Sequence, residues 1–206
     1  MKKNKKWFSI IEVLVWIFIF SLWMVWIFAI ISSTLRINDN NENYIIASNL
    51  ANEQLELVRN IRDSNYYSFK PYNLLNPNGT SYRDIDKFEI WKYYTIENNY
   101  SNVSSFPIKI DKIINFWEWE GELNDKMMAY KLCLDSLNRY TYDCITSWNK
   151  DTHFYRYIYI DSVKFSSWWS VETIDNSFLI KSKVIRYKKW YHEFEVKAIL
   201  ADWKRL

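Results

Sequence analysis

Glycine is almost missing from this chain, with 2 residues in 206 where a globular protein of that length carries about 14 at roughly 7% usage. Gly79 and Gly121 stand apart, which excludes a phosphate-cradling loop or a dinucleotide fingerprint, because both need clustered glycines. Histidine is as scarce. His153 and His192 lie in strand-like stretches and read as surface or packed residues, and no Cys/His spacing suits zinc. Neither charge sign dominates: 27 Lys and Arg face 24 Asp and Glu for a net +3, too weak for a nucleic-acid binder that works by bulk charge. The length allows one modest domain with accessories and excludes a multidomain enzyme. No catalytic residue, resident metal or cofactor is expected.

Tryptophan is what the chain has in excess. It carries 12, and Trp and Gly together match the Gly count expected of such a chain. Several Trp stand where backbone geometry asks for a residue without a side chain. Some bacterial lineages read the UGA codon as glycine, and the wrong translation table would write Trp in its place. The expectation is that most of these positions are glycine in the cell, and UGG codons throughout would sink it.

The charge is clustered at one place, Lys2, Lys3, Lys5 and Lys6, and residues 7 to 31 then run apolar with Glu12 as the sole charge. Such a run is long enough to cross a bilayer as a helix, for which about 20 residues suffice. Lysines before the span and the uncharged Ser32, Ser33 and Thr34 after it put the N-terminus in the cytoplasm and the rest outside. A secretory signal peptide is the competing reading. Its apolar region is shorter and ends at a small-residue cleavage site, which this run lacks. Export to an oxidising compartment favours a disulfide between Cys133 and Cys144 over two unpaired thiols.

The segment Lys5-Lys6-Trp7-Phe8-Ser9-Ile10-Ile11-Glu12-Val13-Leu14-Val15 resembles the N-terminus of type IV prepilins and type II secretion pseudopilins. There a basic leader ends in Gly, Phe usually follows, and a Glu comes four residues later inside the apolar helix. Phe8 and Glu12 match; Trp7 departs, and it stands on the family's Gly. The resemblance implies cleavage between Trp7 and Phe8 by a membrane-embedded prepilin peptidase, with N-methylation of Phe8. A literal Trp7 would put that cleavage in doubt. Independently of the family, an ionised carboxylate inside hydrocarbon costs several kcal/mol unless it finds a partner, so Glu12 marks function. The new amino group of a neighbouring subunit would serve and would set axial register; simple snorkelling of Glu12 to the interface is the plainer alternative.

Trp16, Trp23 and Trp26 share one side of this helix. As glycines they form a smooth stripe, with Ala29 nearby, that lets helices approach closely. As Trp they are bulky rings, one of them mid-bilayer and far from the interfacial belts where Trp concentrates.

From residue 34 to 62 the helix continues as an amphipathic one, Ala47, Ala51, Leu55, Val58 and Arg62 recurring every three or four positions. The stretch 50 to 63 resembles the corresponding helix of V-type and I-type minor pilins. Beyond it, residues 94–96, 127–134, 154–165, 178–187 and 191–200 read as strands. Trp190, Trp148, Trp168, Trp169, Trp117 and Trp119 fall among turn residues where glycine fits, and Trp91 falls at a strand start. Trp203 is the exception, in an Ala-Asp-Trp ending similar to that of related minor pilins. The expected class is α+β: a basic leader over 1–7, an assembly helix over 8–31, its amphipathic continuation over 32–63, and an exported β-rich, pilin-like head over 64–206.

Read literally, clustered Trp on loops suggest a membrane-tethered binding module for glycan or another surface. The acidic cluster Glu118, Glu120, Glu122 and Asp125 reads as a solvated loop, since the ligand order of an EF-hand is missing. Lys181, Lys183, Arg186, Lys188 and Lys189 read as edge-strand protection, with no specific nucleic acid expected. The partners that the resemblance implies are other pilin or pseudopilin subunits, the prepilin peptidase, the inner-membrane assembly platform and membrane lipid. It places the chain as a single-pass inner-membrane protein before assembly and in a cell-surface or periplasmic filament after it.

Overall fold

The computed structural model describes residues 10–75, 87–98, 108–113, 129–146, 148–166, 171–187 and 191–202. Its first element is one uninterrupted helix, α1 (Ile10–Tyr67), of 58 residues. No Gly or Pro lies within it to break the ladder. The chain divides into two units, residues 1–45 and residues 46–206, so the last third of α1 belongs to the head.

The end of α1 is a Schellman motif. Lys70 N–H donates to the Asn65 carbonyl (2.9 Å) and Phe69 N–H to that of Tyr66 (3.1 Å), with Phe69 left-handed at φ 55°. Pro71 then cannot continue the helix. Asn65, fully buried, donates to the carbonyls of Tyr72 and Leu74 and ties the departing chain onto the helix.

Among the described residues, seven antiparallel strands form one curled sheet: β1 (Tyr93–Asn98), β2 (Ile108–Lys112), β3 (Lys131–Leu134), β4 (Tyr140–Thr141), β5 (Lys150–Ser166), β6 (Val171–Tyr187) and β7 (Tyr191–Ala201). Strand β5 is the spine. One of its edges pairs with β6, which pairs with β7; the other meets β3 around Lys131↔Tyr155 and β1 around Tyr93↔Tyr159. Side chains alternate in and out, as the pleat requires. Ile158 and Ile160 of β5, Phe178 and Ile180 of β6, and Leu200 of β7 pack on Leu55, Leu57, Val58 and Ile61 of α1. Farther back along the helix, Phe154 and Val184 pack on Ala47, Leu50 and Ala51. The odd positions Tyr155, Tyr157 and Ile185 build a separate aromatic cluster with Tyr130.

The class is therefore α+β, with a long apolar N-terminal helix and an antiparallel sheet. The helix runs five residues past the expected Arg62. Within the 127–134 stretch, residues 129–130 form a single turn and the strand begins at Lys131; residues 127–128 lie outside the described residues. Strands β2 and β4 were not anticipated, being short and carrying too few apolar residues to alternate visibly.

Trp91 adopts the left-handed conformation, φ 62°. Its N–H donates to the Ile160 carbonyl (2.7 Å), while Ile160 N–H donates to the Lys92 carbonyl (3.1 Å). Two residues thus oppose one, the pattern of a G1 bulge, whose first position is a left-handed glycine. A bulky residue at that φ is a steric outlier.

Candidate functional site

Two regions carry the functional argument. The first is α1 from Ile10 to the unit boundary. Glu12 lies in its first described turn, exposed, among Ile10, Ile11, Val13 and Leu14, all exposed too. Trp16, Trp23 and Trp26 are also exposed, and Trp23 and Trp26 with Leu22 border a shallow groove of about 290 Å³. The polar interruptions are satisfied within the helix: Ser21 Oγ donates to the Ile17 carbonyl (2.8 Å) and Thr34 Oγ1 to that of Ile30 (2.9 Å). A helix of this length with no apolar side chain covered is compatible with a single-pass membrane anchor. Trp7 and Phe8, the expected cleavage and methylation positions, lie outside the described residues, as do Trp117, Trp119, Trp168, Trp169, Trp190 and Trp203 and the acidic cluster at 118–125.

The second region is a polar network inside the head. Arg156 of β5 is 0% exposed, on the core-facing row between Phe154 and Ile158. Its guanidinium donates to Glu53 Oε2 (2.7 Å), the Ile96 carbonyl (3.2 Å), the Leu50 carbonyl (3.4 Å) and Tyr142 Oη (3.2 Å). Tyr142 Oη donates in turn to the Arg156 carbonyl (2.9 Å) and accepts from Gln54 Nε2 (3.2 Å), whose carbonyl accepts from Ser182 Oγ (2.8 Å). Burial works against the Arg156 charge, yet Tyr142 and Glu53 outweigh it and hold the pKa above its ordinary value. Burial also pushes the Tyr142 phenol up, which keeps its proton in the network.

Tyr142 is positioned by a cross-linked loop. Cys133 and Cys144 are bridged, the pairing expected from the sequence, and Glu97 accepts from Thr141 Oγ1 (3.2 Å) and from Tyr142 N–H (3.1 Å). Asp151 approaches the bridge, but disulfide sulfurs offer no thiolate, and its carboxylate is held by Lys131 (2.8 Å). The cluster is structural, not a metal centre. One helix, three strands and the disulfide loop thus meet at Arg156 and Tyr142.

Sequence reading missed Arg156, Tyr142 and Glu53. A signal was available, because Phe154, Arg156, Ile158 and Ile160 alternate on one face, and a charge in that row must be paired if the row is core. Both His153 and His192 are exposed on strands. Of the Trp in the head, the described ones are Trp91, 65% exposed, and Trp148, 81% exposed.

No protein-family model matches the chain, and no curated protein and no solved structure is significantly similar to it.

Proposed function

We propose that the protein is a minor pilin or pseudopilin, cut after residue 7, N-methylated at Phe8, and assembled through α1 into a type IV pilus or a secretion or competence pseudopilus. The observation that carries this reading is the pairing of the Phe8 and Glu12 spacing with an unbroken helix that leaves Glu12 and its apolar neighbours exposed. Such a helix needs a cover from outside the chain, and lipid before assembly and neighbouring subunits afterwards supply it in turn. Glu12 gains a partner only in the second state, in the free amino group of an adjacent Phe8, which draws the subunit into register. The N-terminus is cytoplasmic and the head exported, where the disulfide forms.

Cleavage requires a small residue at position 7, so the reading includes glycine there. Support comes from Trp91, whose place in a G1 bulge asks for glycine on backbone grounds that have nothing to do with the family motif. The experiment is co-expression with a prepilin peptidase of the chain carrying Trp7 and of Trp7→Gly. The glycine version is expected to lose its leader and to enter filaments, and Glu12→Ala in that background is expected to be cleaved yet excluded from them. Retention of the leader by Trp7→Gly would overturn the reading in favour of an uncleaved, membrane-tethered binding module presenting exposed rings such as Trp91 and Trp148.

A further inference from the structure

Between its apolar span and its core-packed part, α1 crosses residues 32–45, which have neither the all-round apolar surface of the first nor the packed stripe of the second. Residues 32–42 are exposed at every position. Among the described residues, the first α1 side chain to pack on a core cluster is that of Ile46, and the division of the chain into two units falls just before it. A helical stretch this short, left unpacked, is marginal in water, because helices in proteins are held mainly by burying a face.

The sequence makes this stretch weaker still. In Asn38-Asp39-Asn40-Asn41-Glu42-Asn43 every residue but Glu42 is an Asn or Asp, both among the poorer helix formers. Their short polar side chains bond nearby backbone groups in non-helical conformations and so compete with the helical ladder. One such competing bond is present: Asn43 Nδ2 donates to the Asp39 carbonyl, the acceptor that an α-helix assigns to the backbone N–H of Asn43. Relative to alanine, the combined propensities lower the local helix equilibrium by about a hundredfold. Residues 54–61 differ on both counts, since Leu55, Glu56, Leu57 and Arg59 favour helix and Leu55, Leu57, Val58 and Ile61 are buried against the sheet.

We infer that α1 carries a built-in hinge at residues 38–43, where the helix opens locally while its core-packed part stays closed. Opening there absorbs strain arising on either side before it reaches the other. The inference is independent of leader cleavage and of filament assembly. The test uses the full chain in detergent micelles, followed by hydrogen exchange and by limited trypsin digestion. Amides of residues 38–43 are expected to exchange at least about a hundredfold faster than those of residues 54–61, as local opening implies. Arg36, Arg59 and Arg62 all lie on α1, and the first cut within the helix is expected after Arg36. Asn38→Ala, Asn40→Ala, Asn41→Ala and Asn43→Ala combined restore helix propensity on an exposed surface, so the fold is kept. This variant is expected to slow exchange over residues 38–43 by at least about tenfold and to delay the cut after Arg36, with residues 54–61 unchanged. Equal exchange in the two windows, a first cut after Arg59 or Arg62, or a combined variant that exchanges as the parent does would each overturn the proposal.

Discussion

The two parts of α1 share one backbone and differ in what covers them. Residues 10–31 carry Ile, Leu, Val, Phe and Trp on every side, residues 32–45 are largely polar, and the side-chain hydrogen bonds described in both stay within the helix. Residues 46–67 confine their apolar side chains largely to a stripe, and Glu53 and Gln54 reach strands and the disulfide loop. A helix covered from one side by its own chain needs only that stripe; a helix apolar all round must be covered by something else. Residues 10–31 thus lack cover among the described residues, and residues 46–67 are an ordinary component of a core.

This contrast can be broken from the head side, beginning with the largest effect. Replacing both Cys133 and Cys144 by Ser should destabilise the head by about 3 kcal/mol, the loop-closure contribution of a bridge spanning so short a segment. Denaturant unfolding with and without reductant measures it, and the parent in reductant should match the double variant. Glu53→Ala should cost about 2 kcal/mol, because it removes a charged hydrogen bond from a guanidinium with no access to water, while the backbone acceptors remain. Both changes should leave membrane association of residues 10–45 as it was. If either releases the chain from membranes, the division of α1 is wrong.

Trp91 sharpens the comparison at a smaller scale. Trp91→Gly should stabilise the head by about 1 kcal/mol through relief of the left-handed strain, and Trp91→Ala should fall well short of that, because alanine keeps the offending Cβ. Equal gains from both would assign the effect to the exposed ring instead.

The smallest effect is that of acid. Asp161 is held below the usual carboxylate range chiefly by the Lys181 ammonium, Asp143 by the Thr146 hydroxyl, and Asp135 by the backbone and side-chain N–H groups of Arg139. A carboxyl depressed in the folded state stabilises it above the unfolded pKa of about 3.9, and the contribution disappears as pH falls through the lower folded value. The head's melting temperature should therefore be flat from pH 7 to about 5 and fall below about pH 4, and Asp161→Asn should make that fall shallower.

The parts of the fold governed by local pattern were legible in the sequence. A long apolar run without Gly or Pro can only be a helix, and Phe194, Val196, Ala198 and Leu200 announce a half-buried strand by alternation, which β7 is. The disulfide followed from compartment and spacing. Pairing was not legible, because β5 meets three strands along its length and no local signal orders them. The Arg156 network was hidden for the same reason: Leu50, Glu53, Ile96, Tyr142 and Arg156 come together only once helix, sheet and loop have packed. At Trp91 the two levels met. Its neighbours marked a strand start, and its hydrogen bonds then showed a bulge in which the written residue is the wrong shape.

The central claim is that the chain is a processed filament subunit whose Trp are largely glycine in the cell. Mass spectrometry of the native protein recovered from sheared filaments tests both halves at once. The account predicts a chain beginning with N-methylated Phe8 and tryptic fragments carrying glycine at Trp16, Trp23, Trp26 and Trp91. A chain still beginning at Met1, with tryptophan at those positions, would contradict it.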